Sequence, residues 1–317
     1  MAKYDYGFES SRMKAGQAIF EIGQKSDKIW GITSDVGGLL KKFRESWPDR
    51  YVDTGIAEQN ATGIAAGLAI EGFKPYIIGM IPFITMRAFE QVRTDICYQN
   101  LPVTIIGTGG GLVSTGGATH NAMEDVSIMR TLANMSVVSV SDPNMIIHLM
   151  HKSLDWKGPL FIRQAGGKSD RVIYEPGSYT CEIGKGITAR PGKDATIFVH
   201  GGLVADAIDV AEALGGEGID VRVIDMYSIK PLDKDLVISA VKETGNIVVV
   251  EDHLRRGGLF SAIAELLLEE GVAPKKFKAL GVPDVYAGYG PGEELREKYG
   301  YGKTAITAAI REFVKGR

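Results

Sequence analysis

The chain has only two cysteines, no apolar run near the ~20 residues that span a bilayer, and no surplus of one charge sign. Each shortage excludes a class of protein. Cys97 and Cys181 stand far apart without metal-type spacing, so neither a disulfide framework nor a zinc centre is expected, and a reducing, cytoplasmic setting is the default. The 36 Lys and Arg face 39 Asp and Glu, a formal net charge of −3. A protein that grips nucleic acid needs a basic face from which counterions are released, and this balance argues against one. The opening stretch MAKYDYGFESSR has no apolar h-region, which predicts neither a secretory signal nor a membrane anchor. Also missing are a GxGxxG turn after a strand, a Walker A loop, a GxSxG elbow and an HExxH helix. No short-period repeat is present, which excludes solenoids and propellers.

What is present is a chain of 317 residues with 44% hydrophobic content, long for one domain and enough for two that each bury a core. Short β-branched runs alternate with amphipathic stretches, the pattern of an α/β protein with mostly parallel sheets. In the first half, residues 28–33, 51–53, 76–80, 103–107 and 137–140 predict strands. Residues 13–25, 59–70, 88–98, 123–132 and 144–154 predict helices between them. A second cycle follows, with strands at 195–199, 221–224 and 247–250 and helices at 204–214, 233–242, 259–269 and 304–315. Between the cycles, AGGKSDRVIYEPGSYTCEIGKG has no helical period and is expected to run over the surface. The reading is two consecutive three-layer α/β domains, residues 1–168 and 191–317, joined by a linker at 169–190.

In open parallel sheets, ligands sit beyond the carboxyl ends of the strands. Three loops of the first domain fit that position. In the first, Asp53 to Asn60, Glu58 opens a helix whose next turns, ATGIAAGLAI, are nearly all small and apolar. A helix without polar spacing is expected to be buried, which would set Glu58 beside a buried surface. The plainer alternative is a first-turn glutamate that serves the helix dipole. The second loop, Ile81 to Phe89, carries Pro82 and Phe83 ahead of a predicted helix, and taken alone Phe83 and Phe89 read as core. The third runs from Gly107 through Gly109, Gly110 and Gly111 to Ser114, Thr115, Gly116 and His120. Glycine is about one residue in eight here, against a usual ~7%. Such runs cost backbone entropy and are expected where backbone must approach a ligand or another subunit closely. His120 is the best placed of the five histidines for chemistry; His148 and His151 lie in a helical stretch, and His200 and His253 end strands of the second domain.

Taken together, GIAEQNATGIAAGLAI, FITMRAFEQVRTDICYQNLPV, GGATHNAMEDVSIMR, VRVIDMYSIKPLD and VVVEDHLRRGGLFSAIAELL resemble ordered blocks of the thiamine diphosphate enzymes of the transketolase family, specifically their C-terminal half. The resemblance extends over nearly the whole chain. It implies a pyrimidine-binding domain followed by a transketolase C-terminal domain. It also implies a cofactor site on the first, formed by Ile56, Glu58, Phe83, Arg87 and Phe89. The coenzyme's aminopyrimidine becomes basic enough to deprotonate the thiazolium carbon only in its imino tautomer, and Glu58 matches the carboxyl group that promotes it. Burial is expected to raise the Glu58 pKa and favour the neutral donor form. Phe83 would stack on the pyrimidine, Arg87 and Phe89 would brace the loop, and His120 would hydrogen-bond substrate oxygens. Asp35, Arg163 and His120 are the candidate substrate contacts.

In this family the diphosphate is held through a divalent metal, Mg or Ca, by a GDG motif with an asparagine downstream; the sequence contains no GDG. The resemblance therefore implies a split enzyme. A separate N-terminal subunit would hold the metal, with a homodimer of this chain inside an α2β2 assembly, and the second domain would serve dimerisation rather than chemistry. The small-residue helix after Glu58 suits either a subunit interface or internal packing. Gly109 and Gly116 stand where relatives that act on sugar phosphates carry a histidine and an acidic residue. Gly166 replaces a phosphate-gripping arginine, with Arg163 and Lys168 nearby, and the phosphate-holding serine is not matched in Ser34-Asp35-Val36-Gly37-Gly38. The expected substrate is thus a ketose or 2-oxo compound of unusual type. Three alternatives stand beside transketolase: the beta subunit of a 2-oxoacid dehydrogenase decarboxylating component, a deoxyxylulose-phosphate-synthase-like enzyme, and a non-catalytic assembly subunit.

Overall fold

The computed structural model describes residues 4–112, 116–165 and 170–315. Two sheets carry the fold. The first has seven strands in the order Ser228–Lys230, Ser136–Val140, Leu160–Gln164, Thr104–Thr108, Lys74–Met80, Ile29–Thr33 and Tyr51–Asp53. All are parallel except the Ser228–Lys230 edge, which runs antiparallel to Ser136–Val140. Strands in such a sheet are apolar on both sides because helices cover both faces. The register sets Ile77 beside Ile105, Ile105 beside Phe161 and Phe161 beside Val137. That row packs with Ala61, Ala65, Val92 and Ile96. The alternating positions Tyr76, Ile78, Ile106 and Ile162 pack with Ala15, Ala18, Ile19 and Ile22 of the helix Ser11–Gly23. Burying each large aliphatic side chain contributes ~1.5–3 kcal/mol.

The second sheet orders Lys276–Val282, Asn246–Leu254, Ala195–Val199, Val221–Asp225 and Ile187–Arg190, parallel except for the last edge. The α/β class and the mostly parallel sheets are as the alternation predicts. Three strands of these two sheets were not predicted from the sequence: Ser228–Lys230, Ile187–Arg190 and Lys276–Val282. Ser228–Lys230 belongs to the second half of the chain yet extends the first sheet, and three residues are too few for an alternation to register.

The stretch expected to run over the surface is partly interior. Asp170–Arg171 pairs antiparallel with Phe8–Glu9, and Val172, Ile173 and Cys181 are buried. Buried backbone needs partners, and Asp142 supplies them, accepting from the amides of Ile173 at 2.8 Å and Tyr174 at 3.2 Å. The loop expected at Ile81 to Arg87 and the helix after it are also altered. Pro82–Arg87 and Val92–Cys97 are wide π-type turns around the short helix Phe89–Gln91. No helix among the described residues is long and apolar enough to cross a membrane.

Candidate active site

Beyond the carboxyl ends of Ile29–Thr33, Tyr51–Asp53 and Lys74–Met80 lies a cleft of about 560 Å³. Six of the residues singled out in the sequence line it: Asp35, Ile56, Glu58, Phe83, Arg87 and His120. Glu58 is the first residue of the helix Glu58–Ile70, whose preceding residue, Ala57, offers no side-chain cap. Thr62 Oγ1 donates to Glu58 O at 2.8 Å and tightens that first turn. The Glu58 side chain is 3% exposed, and Arg87 Nη1 donates to its Oε2 at 2.7 Å.

The wide turn at Pro82–Arg87 places Phe83 and Arg87 on one wall, closed by Ala88 N donating to Phe83 O at 3.3 Å. The guanidinium lies 4.5 Å above the Phe83 ring. Phe83 in turn meets the His120 imidazole edge-on, with centroids 5.0 Å apart at 81°. His120 Nδ1 is 3.1 Å from Thr119 Oγ1. The four residues therefore touch in sequence, from carboxylate to guanidinium to aromatic ring to imidazole. Ile56, 71% exposed, stands at the mouth. Asp35 has a φ of 59°, in the left-handed region that costs a non-glycine residue ~1–3 kcal/mol. Polar groups converging on apolar walls are what a small-molecule site requires.

Other expectations fall elsewhere. Phe89 does not line the cleft; it packs against the apolar cluster beneath the helix Glu58–Ile70. Arg163 does not reach the cleft either. It is 1% exposed, and its Nε donates to buried Asp125 at 2.7 Å while Nη2 donates to Asp252 O at 2.8 Å, across the boundary between the domains. A guanidinium buried and engaged in this way is turned to the protein interior and is not presented to the cleft. The glycine run has the same explanation: a Cβ on Gly110 would lie 2.7 Å from Arg163 Cζ, and one on Gly111 would lie 2.3 Å from Asp252 Cγ. The close approach is within the chain, to Arg163 of the same domain at Gly110 and to Asp252 of the second domain at Gly111. Ser114, Thr115, Gly166 and Lys168 lie outside the described residues. The small-residue helix is buried on one side only, with Ala61, Ala65 and Ala69 inward and Asn60, Gly63, Gly67 and Ile70 exposed.

Four cleft residues had been missed, Met13, Leu39, Met80 and, alone among them charged, Arg12. Arg12, in the first turn of Ser11–Gly23, lines the cleft, and its Nε is buried without a hydrogen-bond partner among the described residues. A signal existed, since a basic residue in a first turn opposes the helix dipole and so stands against local preference. Among the described residues no group of three His, Cys, Asp or Glu is arranged to hold a metal ion.

Comparison with known proteins agrees with this layout. Residues 10–166 match the family model "Transketolase, pyrimidine binding domain", and residues 184–306 match "Transketolase, C-terminal domain". A solved chain described as "Split gene transketolase, inactive beta4 tetramer" superposes with a TM-score of 0.87 at 37% identity, covering 97% of this chain and 99% of that one. The chain belongs to the transketolase family. Among curated members, a 1-deoxy-D-xylulose-5-phosphate synthase 1 of Geobacter metallireducens is 38% identical over 303 residues, which is 95% of this chain and 48% of that protein. A 1-deoxy-D-xylulose-5-phosphate synthase of Heliobacterium modesticaldum is 34% identical over 93% of this chain and 45% of its own length. This transketolase-family chain thus spans about half the length of the curated relatives it matches.

Proposed function

We propose that the chain is the C-terminal subunit of a split, thiamine diphosphate-dependent transketolase that transfers a two-carbon ketol unit from a ketose to an aldehyde. The observation that carries the reading is Glu58, a carboxylate held almost without solvent contact in a cleft whose walls include Phe83 and His120. These residues fit an aminopyrimidine: Phe83, Met80 and Ile56 offer apolar surface to a flat ring, and Glu58 offers a carboxyl group to a ring nitrogen. When bound, the coenzyme supplies the carbon nucleophile and electron sink for making and breaking the carbon–carbon bond. Glu58 holds the proton exchanged with the ring nitrogen, and its low exposure keeps water from competing for it. Arg87 orients the carboxylate. His120 donates to or accepts from the substrate oxygen next to the bond that breaks. Arg12, whose Nε has no hydrogen-bond partner among the described residues, takes an anionic end of the donor, which points to a phosphorylated ketose.

The diphosphate and its divalent metal belong, in this proposal, to a separate N-terminal subunit carrying the GDG motif. The similarity to a split-gene transketolase chain along nearly its full length supports that arrangement. The open face of Glu58–Ile70, where Gly63 and Gly67 leave bare backbone, would seat a second copy, as the tetramer named for that relative encourages. A second reading, a synthase of 1-deoxy sugar phosphates, has the names of the curated relatives in its favour.

The test is reconstitution with an N-terminal subunit, thiamine diphosphate and Mg, followed by donor screening. Ketol transfer from ketose phosphates is expected, with kcat/KM for those donors falling ~10-fold or more in Arg12→Ala. Turnover with a 2-oxo acid donor alone would favour the second reading.

A further inference from the structure

The loop that carries His120 is closed at its base and held from outside. Gly111 and Ala122 form an isolated antiparallel bridge, with Gly111 N donating to Ala122 O at 2.8 Å and Ala122 N to Gly111 O at 3.2 Å. From that base the chain leaves at Leu112 and returns through His120 and Asn121. Three anchors for these two stems come from the second domain. Asp252 Oδ1 accepts from Leu112 N at 3.1 Å, Gly288 O accepts from Asn121 Nδ2 at 3.3 Å, and Leu254 N donates to Met123 O at 2.9 Å.

Asp252 is the one of these anchors made by a charged side chain, and it is 6% exposed. The same Oδ1 accepts from Tyr301 Oη at 2.9 Å, and Arg296 Nη1 lies 3.7 Å from Oδ2. Arg163 Nη2 links the Asp252 carbonyl, at 2.8 Å, to the Ala122 carbonyl at the loop base, at 3.4 Å. Glycine at 111 is what allows the approach, since a Cβ there would overlap the carboxyl carbon. A carboxylate withdrawn from water is costly unless its hydrogen bonds are satisfied. Two of the donors that satisfy this one are the loop's first stem and a tyrosine of its own domain, so loop and domain are held to each other by the same oxygen.

We propose that Asp252 is a positioning residue for His120: by holding the Leu112 amide it fixes the loop, so that the C-terminal domain sets where the imidazole stands relative to Phe83 and Glu58. The inference rests on His120 acting on the substrate, and it gives the second domain a part in the chemistry instead of dimerisation alone.

Asp252→Ala removes the acceptor, whereas Asp252→Asn keeps an oxygen that can accept. In the full chain, hydrogen exchange at Leu112 and residues 116–122 is expected to quicken ~10-fold or more in Asp252→Ala, with the strand Ala195–Val199 unchanged. The NMR resonances of the His120 ring should shift in the same variant. Asp252→Asn should recover most of both effects. In the reconstituted enzyme, kcat should fall roughly 10-fold with KM within about twofold. A folded Asp252→Ala with wild-type exchange and wild-type His120 ring resonances would overturn the proposal. Should Asp252→Ala not fold, Asp252→Ser, which also withdraws the carboxylate acceptor from the Leu112 amide, takes its place; local quickening at Leu112 is then expected, and wild-type exchange there would overturn the proposal equally. If the wild-type assembly shows no ketol transfer, the functional reading fails, while the exchange and the ring resonances still decide whether Asp252 positions His120.

Discussion

Arg87 and Glu58 form a charge-assisted hydrogen bond of 2.7 Å in which the two partners differ sharply in exposure, 40% for the arginine side chain and 3% for the glutamate. The buried partner depends on the exposed one. A carboxylate in this position needs a donor, and the wide turn at Pro82–Arg87 delivers one from the opposite wall. The same guanidinium rests on the Phe83 ring, an arrangement worth ~0.5–1 kcal/mol at a half-exposed site. Arg87 thus sets the resting position of both groups that the proposal assigns to the pyrimidine.

Arg87→Ala is expected to lower stability by roughly 1–3 kcal/mol, since it leaves a buried acceptor without its donor. The loss should shrink when Glu58→Gln is added, because the neutral amide does not need the guanidinium. Urea unfolding of the four members of this double-mutant cycle gives the coupling directly. Equal losses from Arg87→Ala in both backgrounds would show that the pair is not coupled.

Arg163 and Asp125 form a deeply buried ion pair, 1% and 0% exposed. Removing one partner of such a pair strands the other, at a cost of ~3–5 kcal/mol. Arg163→Met should therefore destabilise strongly. Arg163→Met combined with Asp125→Leu should recover most of the loss, as apolar replacements of buried pairs often do. Thermal melts of the single and double variants check this, and a mild Arg163→Met would remove the argument that the guanidinium rivets the domains together.

Asp225 supplies a pH dependence. Burial pushes its carboxyl up from 3.8 to about 7, against hydrogen bonds from Ser141 and Tyr174 that favour the anion; the neighbouring Asp142 raises it further. A carboxyl whose folded value is raised binds more protons in the folded state than in the unfolded one between those two values. Its stabilising contribution is full below about pH 4 and is lost as pH rises through about 7. Asp225→Asn should be less sensitive across that window, so the stability gap between variant and wild type should move in the variant's favour from about pH 5 to about pH 8. Urea midpoints at the two pH values measure it, and parallel pH profiles would contradict the assignment.

Much of the fold was legible because buried parallel strands read as short β-branched runs and the helices between them as amphipathic stretches; 195–199 and 259–269 match to the residue. What was not legible depends on distance along the chain. Nothing local to Ser228–Lys230 shows that it extends a sheet begun two hundred residues earlier, and nothing local to Asp142 shows that it satisfies the amides of Ile173 and Tyr174. At the site, the loops drew attention to Glu58, Phe83 and His120. A cofactor role for them and for Arg87 came from the family resemblance, since a first-turn glutamate and a loop phenylalanine read equally as dipole partner and core. Arg163 was misplaced because a strand-end arginine looks the same in sequence whether it faces a ligand or a buried aspartate. The Gly110–Gly111 pair was assigned to a ligand or another subunit, when its close neighbours are Arg163 and Asp252 of the same chain.

The central claim is that the Glu58 carboxyl group activates the coenzyme, and the most direct test is turnover of Glu58→Ala in the reconstituted enzyme beside a circular dichroism melt of the variant. The prediction is a folded assembly whose cofactor-dependent turnover falls by ~10²–10⁴-fold. A folded Glu58→Ala enzyme that turns over at the wild-type rate would contradict it.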